Sequence, residues 1–495
     1  MPFQLAPFAD VPLTRPRLQS LLDTHQAETT PRLDRLWRYY RNPVLHTNHE
    51  PGARPRLAQS EGLPRRLTSP HTGDDRAPAD REIVIENDIA WRLHAMVDFM
   101  LGRPITIHSS ASDDQRRAEI QRILDAVLEA SGGMSLLQDA ALIASIYGTV
   151  DFVLRTDALP TTPQPPSDAE DVIERATSLR IDVVEPRRAI PIINPTDYRQ
   201  LDAYIIHTAN PGAEAQPREG GHRRAAVLAT LRSRLSGATE QPSGVTEIIS
   251  ARHDQRYEGD TLVHDAPNPL GVLPVVHIQN LSQPYTYEGL SDVEPLIPLQ
   301  DELNTRLSDR AHRVTLQSFK LYLAKGLDDE SPIRAVTPGQ VWTTSNPDAS
   351  IDAFGGDAAS PSEDNHIQHI REALDKTSAI NPIAAGLLRA RVGQLSSENA
   401  LRITLLGAIA KTQRKQLAFG RGLAHLARLI LHALDHAGVY STSPNERDIT
   451  VQWPDPIPRA ASDALEEAQR KLALGVPRDR VLAELGYAPF NDAVL

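Results

Sequence analysis

The sequence predicts an α+β chain with more than one structural region, on three observations. Apolar residues recur at helical spacing toward both ends, short apolar runs bounded by Gly and Pro lie between residues 180 and 278, and two long charged helical stretches flank a short β-rich excursion. At 495 residues the chain exceeds what a single core usually supports. Aromatics are only 5%, prolines number 39 and the hydrophobic share is 40%, which fits extended layers completed by neighbouring subunits better than one compact globule.

Residues 1 to 80 read as a peripheral arm punctuated by Arg and Pro, with one amphipathic stretch from Pro31 to Arg41. A helical pattern from Glu82 to Leu101 (Ile85, Ile89, Leu93, Met96, Val97, Met100) stops at Gly102-Arg103-Pro104 and passes into a strand at Ile105 to Ile107. Helices follow from Asp113 to Ala130 and from Ser135 to Tyr147, the second ending at Gly148. Residues 157–170 and 210–244 read as surface insertions. Strands are predicted at Arg180 to Val184, Ala189 to Ile193, Ala203 to Ile206, Val245 to Ala251 and Val272 to Ile278.

Glu288 to Lys320 is a long helix candidate whose narrow apolar stripe (Leu296, Leu299, Leu303, Leu307, Ala311, Val314) is edged by Asp301, Glu302, Arg306, Asp309, Arg310 and Arg313. Such a stripe needs a partner helix, and Glu363 to Thr377 (Ile367, Ile370, Leu374) is the candidate, returning after β-like runs at 321–324, 340–344 and 350–354. The expected architecture is a helix going out, a small β module at its tip and a helix coming back. The stripe itself is expected to form a seam between subunits, through Leu303, Leu307 and Val314. Near the end of the chain, short helices are predicted at Glu466 to Leu474 and Asp479 to Leu485.

From Ile380 to Gly438 an Asn-Pro entry leads through a loop rich in Gly and Arg into one long helix. Ser396, Ser397 and Glu398 supply its start, apolar residues recur from Leu401 to Leu434, and Gly438 stops it after roughly 60 Å at about 1.5 Å per residue. Between Ile383 and Leu434 stand eight bases (Arg389, Arg391, Arg402, Lys411, Arg414, Lys415, Arg421, Arg428) and one acid, Glu398, so the segment carries +7 in a chain of −12. A locally basic loop and helix in an acidic chain points to something anionic passing one place and being kept off elsewhere. Lys411, Arg414, Lys415 and Arg421 are expected to pair with carboxylates of an adjacent subunit or to face water. Arg389 and Arg391, on a loop, are the candidates for nucleic acid.

With no cysteine, the chain has no disulfide, thiolate metal site or cysteine nucleophile. The first twenty residues have no apolar stretch of signal length and no run approaches the ~20 apolar residues that cross a bilayer, so a soluble intracellular product is expected. The absence of any Gly-Lys dipeptide excludes a phosphate-cradling Walker loop, and neither a G-x-S-x-G elbow nor an H-E-x-x-H pair occurs. His432 with His436 and His366 with His369 have helical ligand spacing but no third ligand nearby, and Asp301, Glu302 and Asp328-Asp329-Glu330 read as solvated charge. No metal, cofactor or catalytic residue is expected.

The order of several segments resembles the portal proteins of tailed double-stranded DNA phages. These are Asn87 to Ala90 with Met96 to Ile105, Ala144 to Gly148, Val183 to Pro186, Asn268 to Val276, Gly289 to Asn304, Ser396 to Leu401 and Lys471 to Pro477, and together they span most of residues 80–490. Arg103 and Gln300 stand where the family leads one to expect Lys and Asp, and the insertion at 210–244 is unfamiliar. The resemblance implies an α+β portal-type subunit with a wing, a helical stem, a small β-containing clip, a long kinked helix and a helical crown, assembled as a dodecameric ring.

In those terms residues 1–285 form the arm and wing, 286–320 the first stem helix, 321–362 the clip, 363–379 the second stem helix, 380–396 the tunnel loop, 397–438 the long wing helix and 439–495 the crown. The implied function is a channel at a capsid vertex for genome packaging and ejection. Arg389, Arg391, Gln394, Lys376 and Arg313 would face the DNA without reading its sequence, and Asp328, Asp329, Glu330 and Trp342 would dock partners on the clip. The implied partners are other copies of the chain, double-stranded DNA, terminase, a head-completion or tail adaptor protein, and the major capsid and scaffold proteins, with no membrane. The implied location is the virion, with assembly in the host cytoplasm. An oligomeric capsid scaffold or adaptor without DNA contact, and a hydrolase using the carboxylates near Asp328, stay open from the residues alone.

Overall fold

The computed structural model describes residues 13–45, 56–68, 82–159, 166–197, 200–209, 244–259, 261–318, 321–325, 348, 350–354, 360–384, 398–457, 461–478 and 481–482. The chain divides into two compact units, one of Met1–Thr29, Leu93–Leu290 and Ala379–Leu495, the other of Thr30–Arg92 and Ser291–Ser378.

The first unit is organised around a three-stranded antiparallel sheet in the order Val275–Gln279, Thr149–Arg155, Arg180–Val184. Its middle strand, TVDFVLR, is buried along nearly its whole length. The helices Asp114–Ala130 and Gly133–Tyr147 and the long helix Leu406–His436 share one apolar core with it, through Ile120, Ile123, Leu124 and Val127, Leu137, Ala140 and Ala144, and Phe419, Leu423, Leu426 and Ile430. Each set recurs at three or four residues, which puts an apolar stripe on one side of each helix. Asp113 caps the first of these helices by accepting from the Gln115 amide, and Gly148 ends the second with a φ of 92°, a left-handed cap that glycine takes without strain. At Gly422 a Cβ would stand 2.3 Å from Ile278 Cδ1, so only glycine lets the long helix approach the sheet this closely.

A second antiparallel sheet of the same unit is a meander of Ala189–Ile193, Leu201–Ala209, Gly244–Ser250, His253–Glu258 and Thr261–Pro267. One face buries Ile190, Ile192, Ala203, Ile205, Ile248 and Tyr257 against Leu13 and Leu18, which ties the N-terminal helix Arg15–Thr24 to the sheet. The other, with Tyr204, Ile206 and Ile249, packs on Val153, Val184 and Val275 of the first sheet. A two-stranded ladder of Thr106–Ser109 with Ile449–Gln452 joins late and early parts of the chain.

In the second unit an outgoing helix, Ile297–Ser318, packs against a returning helix, Pro361–Ser378. Their polar contacts run Glu302 to His366, Arg310 to Asp364 at 3.0 Å and Arg313 to Glu363, a pairing that fixes them antiparallel. Leu296, Ile297 and Leu303 on one side and Ile367, Ile370 and Leu374 on the other are buried, each such side chain contributing about 1.5–3 kcal/mol. Beyond the helix ends, Leu321–Lys325 pairs antiparallel with Ser350–Phe354.

Several boundaries differ from the sequence reading. The outgoing helix begins at Ile297 and not at Glu288, because Glu294–Leu296 forms a 3₁₀ turn around Pro295 and residues up to Leu290 are held elsewhere, the Leu290 carbonyl accepting from Asn280 Nδ2 at 2.9 Å. The helix near Asp88 starts there and not at Glu82. The helix expected from 397 to 438 is broken at Leu405 into Glu398–Thr404 and Leu406–His436. There the Thr404 hydroxyl bonds back to the Ala400 carbonyl, and the Thr404 carbonyl accepts from Asn381 Nδ2 at 3.1 Å. Ser396, Ser397, the run at 340–344 and most of the terminal helix at 479–485 lie outside the described residues.

Candidate functional site

The helix pair of the second unit is held by a buried polar core that its apolar stripe did not announce. Gln300 and Asn304 lie one turn apart on the outgoing helix and are wholly buried. The Gln300 side chain accepts from the Asp88 amide at 3.1 Å and donates to the Glu86 carbonyl and to Asn304 Oδ1; Asn304 accepts from the Glu86 amide at 3.0 Å and donates to Gln59 Oε1 at 3.1 Å. Gln59 in turn donates to the Tyr39 carbonyl at 2.7 Å and to Asn87 Oδ1 at 3.0 Å. Every amide thereby finds a partner away from water, as burial demands.

Beside this chain of amides the buried Arg92 bridges Asp88 at 3.3 Å and Asp375 at 2.6 Å, and also donates to Ser378 Oγ, so the returning helix is joined to the start of the helix at Asp88. Burial pushes the Asp375 carboxyl up from its ordinary value against the pull of Arg92. At Glu302 burial acts upward too, but the hydrogen bonds of Arg306 and His366 outweigh it and hold the carboxyl down.

The predicted seam residues are not equivalent. Leu303 is fully buried inside its own unit, so its side chain leaves no exposed area for a neighbour. Leu307 is half-buried and Val314 is 37% exposed, so the outward part of the stripe lies toward the end of the outgoing helix. Of the residues assigned to a channel, Arg313 is half-buried and paired with Glu363, while Lys376 is exposed near the end of the returning helix. Arg389, Arg391 and Gln394, and on the β module Asp328, Asp329, Glu330 and Trp342, lie outside the described residues.

The basic helix of the first unit separates its cations. Lys411 and Lys415 are buried, against the expectation that they pair across subunits or face water, and Lys415 Nζ donates to Ser145 Oγ at 2.9 Å. Arg402 pairs with Asp455 at 2.7 Å. Arg414, Arg421 and Arg428 are exposed along the opposite side. His432 is bound in a local frame: Arg447 can only donate, so His432 Nδ1 accepts at 3.1 Å and its Nε2 proton goes to the Leu270 carbonyl at 3.2 Å. Among the described residues no group of three or more His, Asp or Glu could hold a metal ion, and no helix is long and apolar enough to cross a membrane.

One cluster escaped the sequence reading. Asp151, buried in the middle strand of the first sheet, accepts from the hydroxyls of Tyr204 at 2.5 Å and Tyr287 at 3.0 Å and lies 2.6 Å from His277 Nδ1. His277 Nε2 faces the Tyr287 carbonyl at 2.8 Å and its ring stacks on Tyr287 at 3.7 Å between centroids. Burial, reinforced by the Asp151 charge, pushes both tyrosine hydroxyls well above their ordinary value, so they act as donors. The cluster pins the segment around Tyr287 to the sheet. Spacing could not reveal it, because its members stand at 151, 204, 277 and 287 on separate elements.

The mixture of helices and small sheets is consistent with the α+β class expected from the sequence. The chain matches the family described as "Phage portal protein, SPP1 Gp6-like" over residues 19–485. No curated protein matches it. With nearly its whole length matched, the chain belongs to the phage portal protein family, which is structural and not enzymatic.

Proposed function

We propose that this chain assembles as a dodecameric ring at one vertex of a capsid, where it forms the channel through which the genome is packaged and later ejected. The observation that carries the reading is the antiparallel pair Ile297–Ser318 and Pro361–Ser378 with paired strands beyond its far end. Repeated around an axis, such pairs line a channel and present one β module per copy at a single end of it. In this reading the helix pair is the stem, residues 321–362 are the clip that docks terminase and then the adaptor, 380–396 is the tunnel loop, and the first unit supplies wing and crown. The acids Asp328, Asp329 and Glu330 form the docking edge, and Val314 takes the seam role in place of Leu303. Net acidity suits a channel, since repulsion keeps DNA from adhering while Arg389 and Arg391 touch phosphates without reading bases.

Native mass spectrometry of the full-length chain tests the subunit number. Twelve copies of the 54.5 kDa chain give a species of about 654 kDa. A monomer or dimer at micromolar concentration overturns the ring, and a closed ring of another number overturns the dodecamer alone.

A further inference from the structure

We propose that the outer face of the long basic helix is a contact surface for a second copy of this chain. Ile403, just before the break, is 74% exposed, and Leu406 and Leu417 are 64% and 66% exposed. Arg414, Arg421 and Arg428 are interleaved with them, exposed and without a carboxylate partner among the described residues. At 3.6 residues per turn, steps of seven, eight, eleven and twenty-two return to nearly the same side, so Leu406, Arg414, Leu417, Arg421 and Arg428 form one stripe, with Ile403 exposed on the short helix just before it. From Leu406 to Arg428 it runs about 33 Å at about 1.5 Å per residue. The other side, with Ala408, Thr412, Lys415, Phe419, Leu423, Leu426 and Ile430, is the one buried in the unit's own core.

Single exposed leucines are ordinary, but Leu406 and Leu417 on one helix face with Ile403 just before it, all left mostly in water, mark a surface that something covers. Nucleic acid would reward the arginines and leave Ile403, Leu406 and Leu417 wet, whereas a protein face with acidic groups satisfies both halves of the stripe. A second copy carries such faces: the chain totals −12 and the segment from Ile383 to Leu434 holds +7, which leaves −19 for the rest. Pairing the stripe with itself about a twofold axis would bring together two faces that each carry three uncompensated arginines, and their repulsion disfavours it. The contact therefore joins two different faces, and contacts of that kind propagate around a ring. The assignment rests on the ring reading and adds to it the surface on which neighbours meet.

The chain has no cysteine, so Leu417→Cys provides a single thiol at an exposed position. The full-length variant, labelled there with a benzophenone photocross-linker and prepared as a mixture of ¹⁵N-labelled and unlabelled copies, is irradiated and digested. The proposal expects mixed-isotope peptides that link residue 417 to an acid-bearing segment of another copy. In parallel, Arg414→Glu with Arg421→Glu is expected to weaken assembly at least about tenfold, with an unchanged melting temperature. Rings in which residue 417 links only to its own chain, to co-purified DNA or to nothing overturn this surface and leave the ring reading standing. A wild-type chain that stays monomeric overturns both.

Discussion

Asp254 shows how one buried carboxylate sets a pH response. Its Oδ1 has no hydrogen-bond partner among the described residues, and burial, with repulsion from Glu247 and Asp157, raises its pKa to about 6 from an ordinary 3.8. The folded chain then holds a proton there that the unfolded chain has released between those two values. Its contribution to stability is complete below about pH 4 and is lost as pH rises through about 6. Asp254→Asn removes the penalty of burying the charge. Thermal melting should show the variant about 1–2 kcal/mol more stable than wild type at pH 7.5 and equal to it near pH 4. An equal gain at both values would mean that the titration of Asp254 is not the cause. In the proposed channel Arg389 and Arg391 would touch DNA: replacing both by Glu should leave assembly intact while impairing DNA packaging or retention, with a deficit that shrinks as salt rises. Wild-type packaging by the double variant in low salt would return these arginines to solvated charge.

In the proposed ring the outgoing helix divides its stripe between a buried side and a seam, and substitutions should separate them. Leu303→Asp puts a charge into the buried side of the second unit and should unfold that unit at a cost of several kcal/mol, seen as the loss of its part of the melting transition. Val314→Asp, at an exposed site, should leave the fold untouched and weaken assembly, so intact rings from this variant in native mass spectrometry would remove Val314 from the seam. Much of this helix pair was legible because a 3.6-residue apolar period and flanking charge survive in the sequence, and the helix end at Gly148 was legible because glycine stands where a left-handed cap is needed. The strand Thr149–Arg155 was not, since burial on both faces erases alternation and Asp151 interrupts it as a polar residue. His253–Glu258 is largely polar and Thr261–Pro267 is interrupted by His264 and Asp265, so both acquire strand geometry from their ladder partners. The helix Ala169–Ala176 was hidden beside a Pro-rich run, and Asp168 caps it by accepting from the Asp171 amide. Lys411 and Lys415 were misplaced because charge was read as exposure, whereas long aliphatic stems let lysine heads reach buried partners such as Ser145.

At the scale of the whole molecule, the chain places +7 on one loop and helix while its remainder is acidic, and it presents a helix pair whose tip carries strands. Membership of the portal family and these features together support the proposed ring, whose bore would pass a DNA duplex. Single-particle electron microscopy of the purified full-length chain shows whether the ring forms. The expected image is a closed twelvefold ring with a central hole wide enough for a duplex of about 20 Å, the helix pairs lining it and the β modules gathered at one end. A monomer, an open filament, or a ring whose centre is filled or too narrow for a duplex would contradict it.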